Sequence, residues 1–160
     1  MNELRECKCP KNLYELTKGY FSQRIASWST NSLRMNKEIR RGCPHGSCSG
    51  PGLWNLQYNS LLELKYTKRT KVVAFADDLI IARRGESVRA VENYVNVELN
   101  KINVWAKNNK TRFNDKKCKV MIVSRRKRKE NKNIRVYLNN KPLDQVTKMK
   151  YLGIILDHKV

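Results

Sequence analysis

The run "VVAFADDLIIA", residues 72–82, sets two adjacent carboxylates, Asp77 and Asp78, in an otherwise apolar segment. An ionised carboxylate is costly to bury unless it is paired or holds a cation, and two side by side also repel. A plain buried strand is therefore excluded. Residues 72–76 and 79–82 are short β-prone runs, so the segment predicts a hairpin with acidic residues at its tip. Asp-Asp is ordinary turn chemistry. Two carboxylates on a rigid tip also suit a divalent cation such as Mg²⁺, which takes hard oxygen ligands. The residues alone leave both readings open.

The rest of the chain mixes helical and strand patterns. In "CPKNLYELTKGYFSQR", Pro10 opens a segment in which Leu13, Leu16, Tyr20 and Phe21 recur at helical spacing. "SWSTNSLRMNKEIRRG" is polar and broken and predicts a short hairpin, followed by the Gly/Pro/Ser-rich loop "GCPHGSCSGPG". Ser49 then caps a helix with Pro51 in its first turn, carrying Leu53, Trp54, Leu56, Leu61, Leu62 and Leu64. The clearest amphipathic helix covers 86–109, with Val88, Val91, Val95, Leu99, Ile102 and Trp105 at spacings of three and four. "KCKVMIVS" reads as a strand, "IRVYLNNKPL" as a hairpin through Asn139-Asn140, and "MKYLGIILD" as a strand containing Gly153. No internal repeat or low-complexity linker divides the 160 residues, so one domain is expected. The fold class is α+β, an antiparallel sheet with helices on one face.

Charge narrows the partners. The chain has 34 Lys and Arg against 14 Asp and Glu, a formal charge of +20. A field of that sign favours polyanions, nucleic acid ahead of an anionic membrane. No run approaches the roughly 20 apolar residues of a spanning helix, and the N-terminus lacks a signal-peptide layout. The expectation is an intracellular protein of the nucleus or cytoplasm, not secreted and without a membrane partner. Five cysteines, an odd number without framework spacing, fit a reducing compartment. Cys7, Cys9, Cys43, His45 and Cys48 are poorly spaced for zinc. The run Arg125, Arg126, Lys127, Arg128, Lys129 is dense enough to need a polyanion, such as a nucleic-acid backbone. Nuclear import and a solvated loop remain open for the same residues.

Several segments together resemble one family. "FADD", residues 75–78, resembles the Tyr/Phe-Ala-Asp-Asp box of reverse transcriptases. "RGCPHGSCSGPGLWNL" resembles their QGxPQGSxxSP loop and the helix after it. "FNDKKCKVMIVS" resembles their Asn-x-x-Lys region, and "YLGIILD" their Leu-Gly turn. The four boxes come in the family's order, and the wording is most similar to non-LTR (LINE-like) retrotransposon polymerases. The resemblance implies a palm-type sheet packed on helices, within an incomplete right-hand polymerase fold. It also implies two-metal nucleotidyl transfer on an RNA template and DNA primer with deoxynucleoside triphosphates.

Carried over by resemblance, Asp77 is the carboxylate that binds catalytic Mg²⁺ and Asp78 the second acid. Phe75 is the aromatic near the primer end. Gly42, Pro44, His45, Gly46 and Ser47 belong to the loop beneath the incoming nucleotide and template. As residues alone, these also read as a Gly/Pro connector. Lys117, on the Asn-x-x-Lys position counted from Asn114, is the candidate to protonate or neutralise the pyrophosphate leaving group. In so basic a region it also reads as solvated. Tyr151, Leu152 and Gly153 resemble the hairpin that grips the primer, and by themselves also read as core strand.

The sequence departs from the family in two places. His45 stands where Gln is usual, with different hydrogen-bonding geometry and a titration near neutrality. Family polymerases also carry a third metal-binding carboxylate on a strand before the Gly-rich loop, whereas Asp77 is the first aspartate of this chain. The first palm strand, fingers and thumb are expected to be lacking, leaving an open sheet edge. Mg²⁺ binding is expected to be weak or absent, with activity depending on the remainder of the polymerase polypeptide. The alternative is a catalytically dead transposon remnant, at most a basic nucleic-acid-binding fragment.

Overall fold

A computed structural model describes residues 2–40, 42, 46–124 and 133–158. The chain divides into two compact units, Met1–Ser60 and Leu61–Val160.

In the first unit, α1 (Asn2–Glu6) is followed by α2 (Lys11–Phe21), entered through Pro10. Proline suits this place because its fixed φ fits helix entry and its missing N–H is not needed there. β1 (Ile25–Ser29) and β2 (Arg34–Glu38) form the predicted hairpin, pairing Trp28 with Met35 and Ile25 with Glu38. Both strands are exposed along their whole length. α3 (Gly50–Leu62) follows, with the Trp54 and Tyr58 rings stacked at 4.6 Å one helical turn apart.

The second unit is built around α4 (Val88–Asn108). Ser87 caps it, its hydroxyl accepting the Ala90 N–H at 3.2 Å. The predicted stripe faces inward, with Leu99, Ile102 and Trp105 buried. Before the helix stand β3 (Thr70–Phe75) and β4 (Asp78–Arg83). After it come β5 (Lys119–Val120), β6 (Tyr137–Leu138), β7 (Lys141–Pro142), β8 (Asp144–Gln145), β9 (Lys148–Tyr151) and β10 (Ile154–Asp157).

Residues 134–138 lie along α4, where the helix's own side chains replace a neighbouring strand. The Glu92 carboxylate accepts the Arg135 N–H at 2.8 Å. The Asn96 amide accepts from Tyr137 N–H and donates to Arg135 C=O, both at 2.9 Å. With those outward backbone groups satisfied, the alternate residues Ile134, Val136 and Leu138 are buried.

Three sequence expectations are corrected. The strands do not form one antiparallel sheet: among the described residues there are five two-stranded pairs, and the β5–β8 pair is parallel. Each antiparallel pair closes through a short local turn (30–33, 76–77, 139–140 or 152–153), the least costly loop in entropy. "KCKVMIVS" is strand only at Lys119–Val120. "MKYLGIILD", read from its pattern as one strand, is a hairpin as its resemblance to the family's Leu-Gly turn implied, because Leu152 (φ +47°) and Gly153 (φ +84°) both take the left-handed conformation of a tight two-residue turn.

Glu98 interrupts the apolar stripe of α4 and is fully buried. Its carboxylate accepts the Thr67 N–H at 2.8 Å and stands 2.9 Å from the Lys101 ammonium. Burial alone raises its pKa, but the Lys101 hydrogen bond, the Thr67 backbone and hydroxyl groups and the Lys101 charge together hold it below its usual value. Lys101 also donates to Lys65 C=O at 2.8 Å. Next door, burial and then the Glu98 charge push the Tyr66 phenol up to about 12.

Removing one partner of a buried pair costs more than the pair contributes. Glu98→Ala is therefore expected to lower unfolding stability by about 2–4 kcal/mol, read from urea midpoints. A depressed folded pKa means that Glu98's contribution is complete above its unfolded pKa and is lost as pH falls through the folded value. Acidification below about 4.5 should thus destabilise the native chain through this group, and Glu98→Gln should lack that component.

Candidate functional site

The β3–β4 hairpin carries the acidic pair. Its register runs from Thr70 opposite Arg83 to Phe75 opposite Asp78, leaving Ala76 and Asp77 as the turn. The base is tied down. The Arg83 guanidinium donates to the Thr67 and Thr70 hydroxyls at 2.8 and 3.3 Å and lies 4.2 Å from the centre of the Tyr94 ring on α4. The tip stands roughly 17 Å further along the ribbon.

Asp77 and Asp78 are exposed, as are Val73 and Phe75. This agrees with the hairpin tip expected for the pair, while the flanking apolar run is not buried on both faces. Residues along β3 alternate between half-buried and exposed, so Val73 and Phe75 fall on the solvent side. The pair avoids the burial penalty by its place at the turn.

That turn is strained. Ala76 has φ +49°, a left-handed conformation that costs a residue with a Cβ roughly 1–2 kcal/mol. Two adjacent acids on such a turn offer hard oxygen donors open to solvent. That chemistry fits a divalent cation as part of a ligand set. Among the described residues, no three His, Cys, Asp or Glu side chains converge as a metal site.

Lys117 is exposed and sits on a separate turn, where Asn114 C=O accepts the Lys117 N–H at 3.0 Å and Asn114 Oδ1 accepts the Lys116 N–H at 3.1 Å. Tyr151 ends β9 and Leu152 and Gly153 form the β9–β10 turn, with the Tyr151 hydroxyl buried and unpartnered among the described residues. Gly42 and Gly46 have φ +81° and +76°, with open space where a Cβ would stand. Left-handed backbone, not close approach, is what requires glycine there. Ser47 C=O accepts the Gly50 N–H at 3.1 Å as the loop enters α3. Pro44, His45 and the run Arg125, Arg126, Lys127, Arg128, Lys129 lie outside the described residues. The structure thus brings together Phe75, Asp77 and Asp78, and leaves Lys117 and 151–153 on turns of their own.

Sequence reasoning passed over Glu98, Arg83 and Asn96, which hold the hairpin base and the packed strand in place. A signal was present for Glu98, a charged residue at the position where the apolar stripe demands a hydrophobe.

Residues 1–156 match the family described as reverse transcriptase (RNA-dependent DNA polymerase). The chain is 27% identical over 122 residues to a Pol polyprotein from the type-1 retrotransposable element R1 of Nasonia vitripennis, covering 74% of this chain and 36% of that one. A second Nasonia R1 polyprotein is 32% identical over 119 residues, covering 71% of this chain and 28% of its own. The RNA-directed DNA polymerase of the mobile element jockey of Drosophila melanogaster is 27% identical over 159 residues, 94% of this chain and 17% of that protein. The chain thus spans well under half the length of these relatives. No solved structure matches it.

Relief of the strain at the tip is measurable. Ala76→Gly is expected to stabilise the protein by about 0.5–1 kcal/mol, since removing the Cβ penalty outweighs glycine's greater unfolded-state entropy. Thermal unfolding of the two proteins side by side checks this.

Proposed function

The chain belongs to the reverse transcriptase family and is similar to non-LTR retrotransposon polymerases; from that premise we propose that it forms part of the palm of an RNA-directed DNA polymerase. The observation that carries this reading is the exposed Asp77–Asp78 pair at a tight hairpin tip, in a chain matched to the family over nearly its whole length. Asp77 and Asp78 would hold Mg²⁺, which when bound lowers the charge barrier to joining a primer 3′ hydroxyl to the α-phosphate of a deoxynucleoside triphosphate.

The chain's own residues act by position. The anchored hairpin base fixes where the two carboxylates stand, and the Ala76 turn holds them clear of the apolar strands. Phe75, exposed beside Asp78, offers a ring face to a primer nucleotide. Lys117 would supply a proton or a positive charge to departing pyrophosphate. Leu152 and Gly153, on a protruding turn, would contact the primer strand. The net charge of +20 supports contact with a template and primer backbone whether or not chemistry follows.

Two carboxylates are fewer than a two-metal centre uses, so the 160 residues alone are proposed to bind cations weakly and to lack catalysis. In primer extension on an RNA template with Mg²⁺, the isolated chain is expected to give no product above background. Extension abolished by Asp77→Asn would overturn that part. Metal contact is tested separately with Mn²⁺, whose paramagnetism broadens nearby amide resonances. Broadening centred on Asp77 and Asp78 and lost in the double Asp→Asn variant is expected. Uniform broadening across the chain would sink the metal assignment.

A further inference from the structure

A cleft of about 380 Å³ opens between the last turns of α4 and the β6–β7 turn, and no residue of the Asp77–Asp78 hairpin lines it. Its volume is that of a small-molecule site. Three of its features ask for a ligand of one chemistry.

The first is an unfilled acceptor. Glu92 and Asn96 on α4 receive the outward N–H groups of Arg135 and Tyr137. Asn103 is two turns beyond Asn96 and on the same side of the helix. There the strand has already turned at Asn139-Asn140, both with positive φ. The Asn103 Oδ1 is buried and has no hydrogen-bond partner among the described residues. A buried amide oxygen without a donor is costly, and Asn103 is one of the residues that line this cleft.

The second is charge. Lys107, Arg112 and Lys141 line the cleft against a single carboxylate, Asp115, which stands 2.7 Å from the Lys141 ammonium. Cations near a helix C-terminus often serve only its free carbonyls. Here the Trp105, Ala106 and Lys107 carbonyls already accept the N–H groups of Asn109, Thr111 and Lys110. No ion pair engages Lys107 or Arg112 among the described residues.

The third is an aromatic wall. Phe113 lines the cleft and is backed by Trp105, with ring centres 6.5 Å apart.

We propose that this cleft binds a nucleotide unit. Its base lies on Phe113 with a ring or exocyclic N–H donated to Asn103 Oδ1, and its phosphate lies among Lys107, Arg112 and Lys141. A bare phosphate would leave the ring and the amide unused. An apolar ligand would leave Lys107 and Arg112 without an anionic counterpart, Lys141 already being paired with Asp115. The same chemistry is offered by a free nucleotide and by one residue of a single strand. The inference does not rest on metal binding by the acidic pair.

The test titrates the full chain in EDTA, which silences divalent-ion effects at Asp77 and Asp78. One arm uses adenosine monophosphate, the other a twelve-residue adenylate RNA. The Asn103 side-chain amide resonance is expected to move on titration in the native protein. Phe113→Leu and Arg112→Ala are each expected to weaken binding about tenfold, the loss of one stack or one charge-assisted bond. Lys150→Ala serves as the control and should change it less than twofold. Saturation by both probes identifies a free-nucleotide site, and saturation by RNA alone identifies a strand subsite. The proposal fails if the Asn103 resonance stays still under both probes. It also fails if Arg112→Ala and Lys150→Ala weaken RNA binding equally while Phe113→Leu does nothing, since that is diffuse charge attraction.

Discussion

The carboxylate of Glu98, sealed from solvent, is the interaction around which the second unit is arranged. A charge in that position is stable only while its partners stay in place, so the Thr67 N–H and the Lys101 ammonium are held as firmly as the carboxylate itself. Lys101 passes the constraint to the Lys65 carbonyl, and the Tyr66 hydroxyl donates to Leu61 C=O at 2.8 Å. The segment entering β3 is thereby fixed before the strand begins. Arg83 extends the network from the Thr67 and Thr70 hydroxyls to the Tyr94 ring, so both strands of the hairpin leave one anchored base.

This arrangement separates two demands that conflict in polymer chemistry on phosphates. Carboxylates that meet cations and polyanions must stay open to solvent, yet they must also be held still. In this chain the rigidity comes from packing at the base of the ribbon and the openness from its tip, with two tight turn residues between the strands. The acidic pair is a local negative point in a chain whose formal charge is +20.

Much of this was legible in the sequence, for identifiable reasons. The stripe of Val88, Val91, Val95, Leu99, Ile102 and Trp105 defines α4, because helical period and apolar burial act together on a long segment. Phe-Ala-Asp-Asp marked the acidic turn, because paired acids favour a turn over a buried strand, and Asn139-Asn140 marked its own, because asparagine tolerates left-handed backbone. Strand partnership was not legible. A run such as "KCKVMIVS" carries β propensity, but whether it pairs depends on a strand far along the chain, and here only Lys119–Val120 does so. "MKYLGIILD" misled because its apolar residues run on through a turn whose Leu152 gives no compositional sign of left-handed backbone. The exposure of Val73 and Phe75, unlike the acidic turn, was hidden for a similar reason: apolar neighbours imply burial on both faces, whereas these two point to solvent.

The docking of residues 134–138 on α4 has a genetic consequence. A strand held in a sheet can slip and find other backbone partners, because every neighbouring strand presents the same groups at each step. Here the partners are two particular side chains, Glu92 and Asn96, fixed to a helix. Inserting or deleting one codon within this segment would bring the wrong N–H groups to them and turn Ile134, Val136 and Leu138 outward together. Point changes at the exposed residues between them leave that register intact. As copies of such a gene diverge, this stretch should therefore accumulate substitutions while keeping its length.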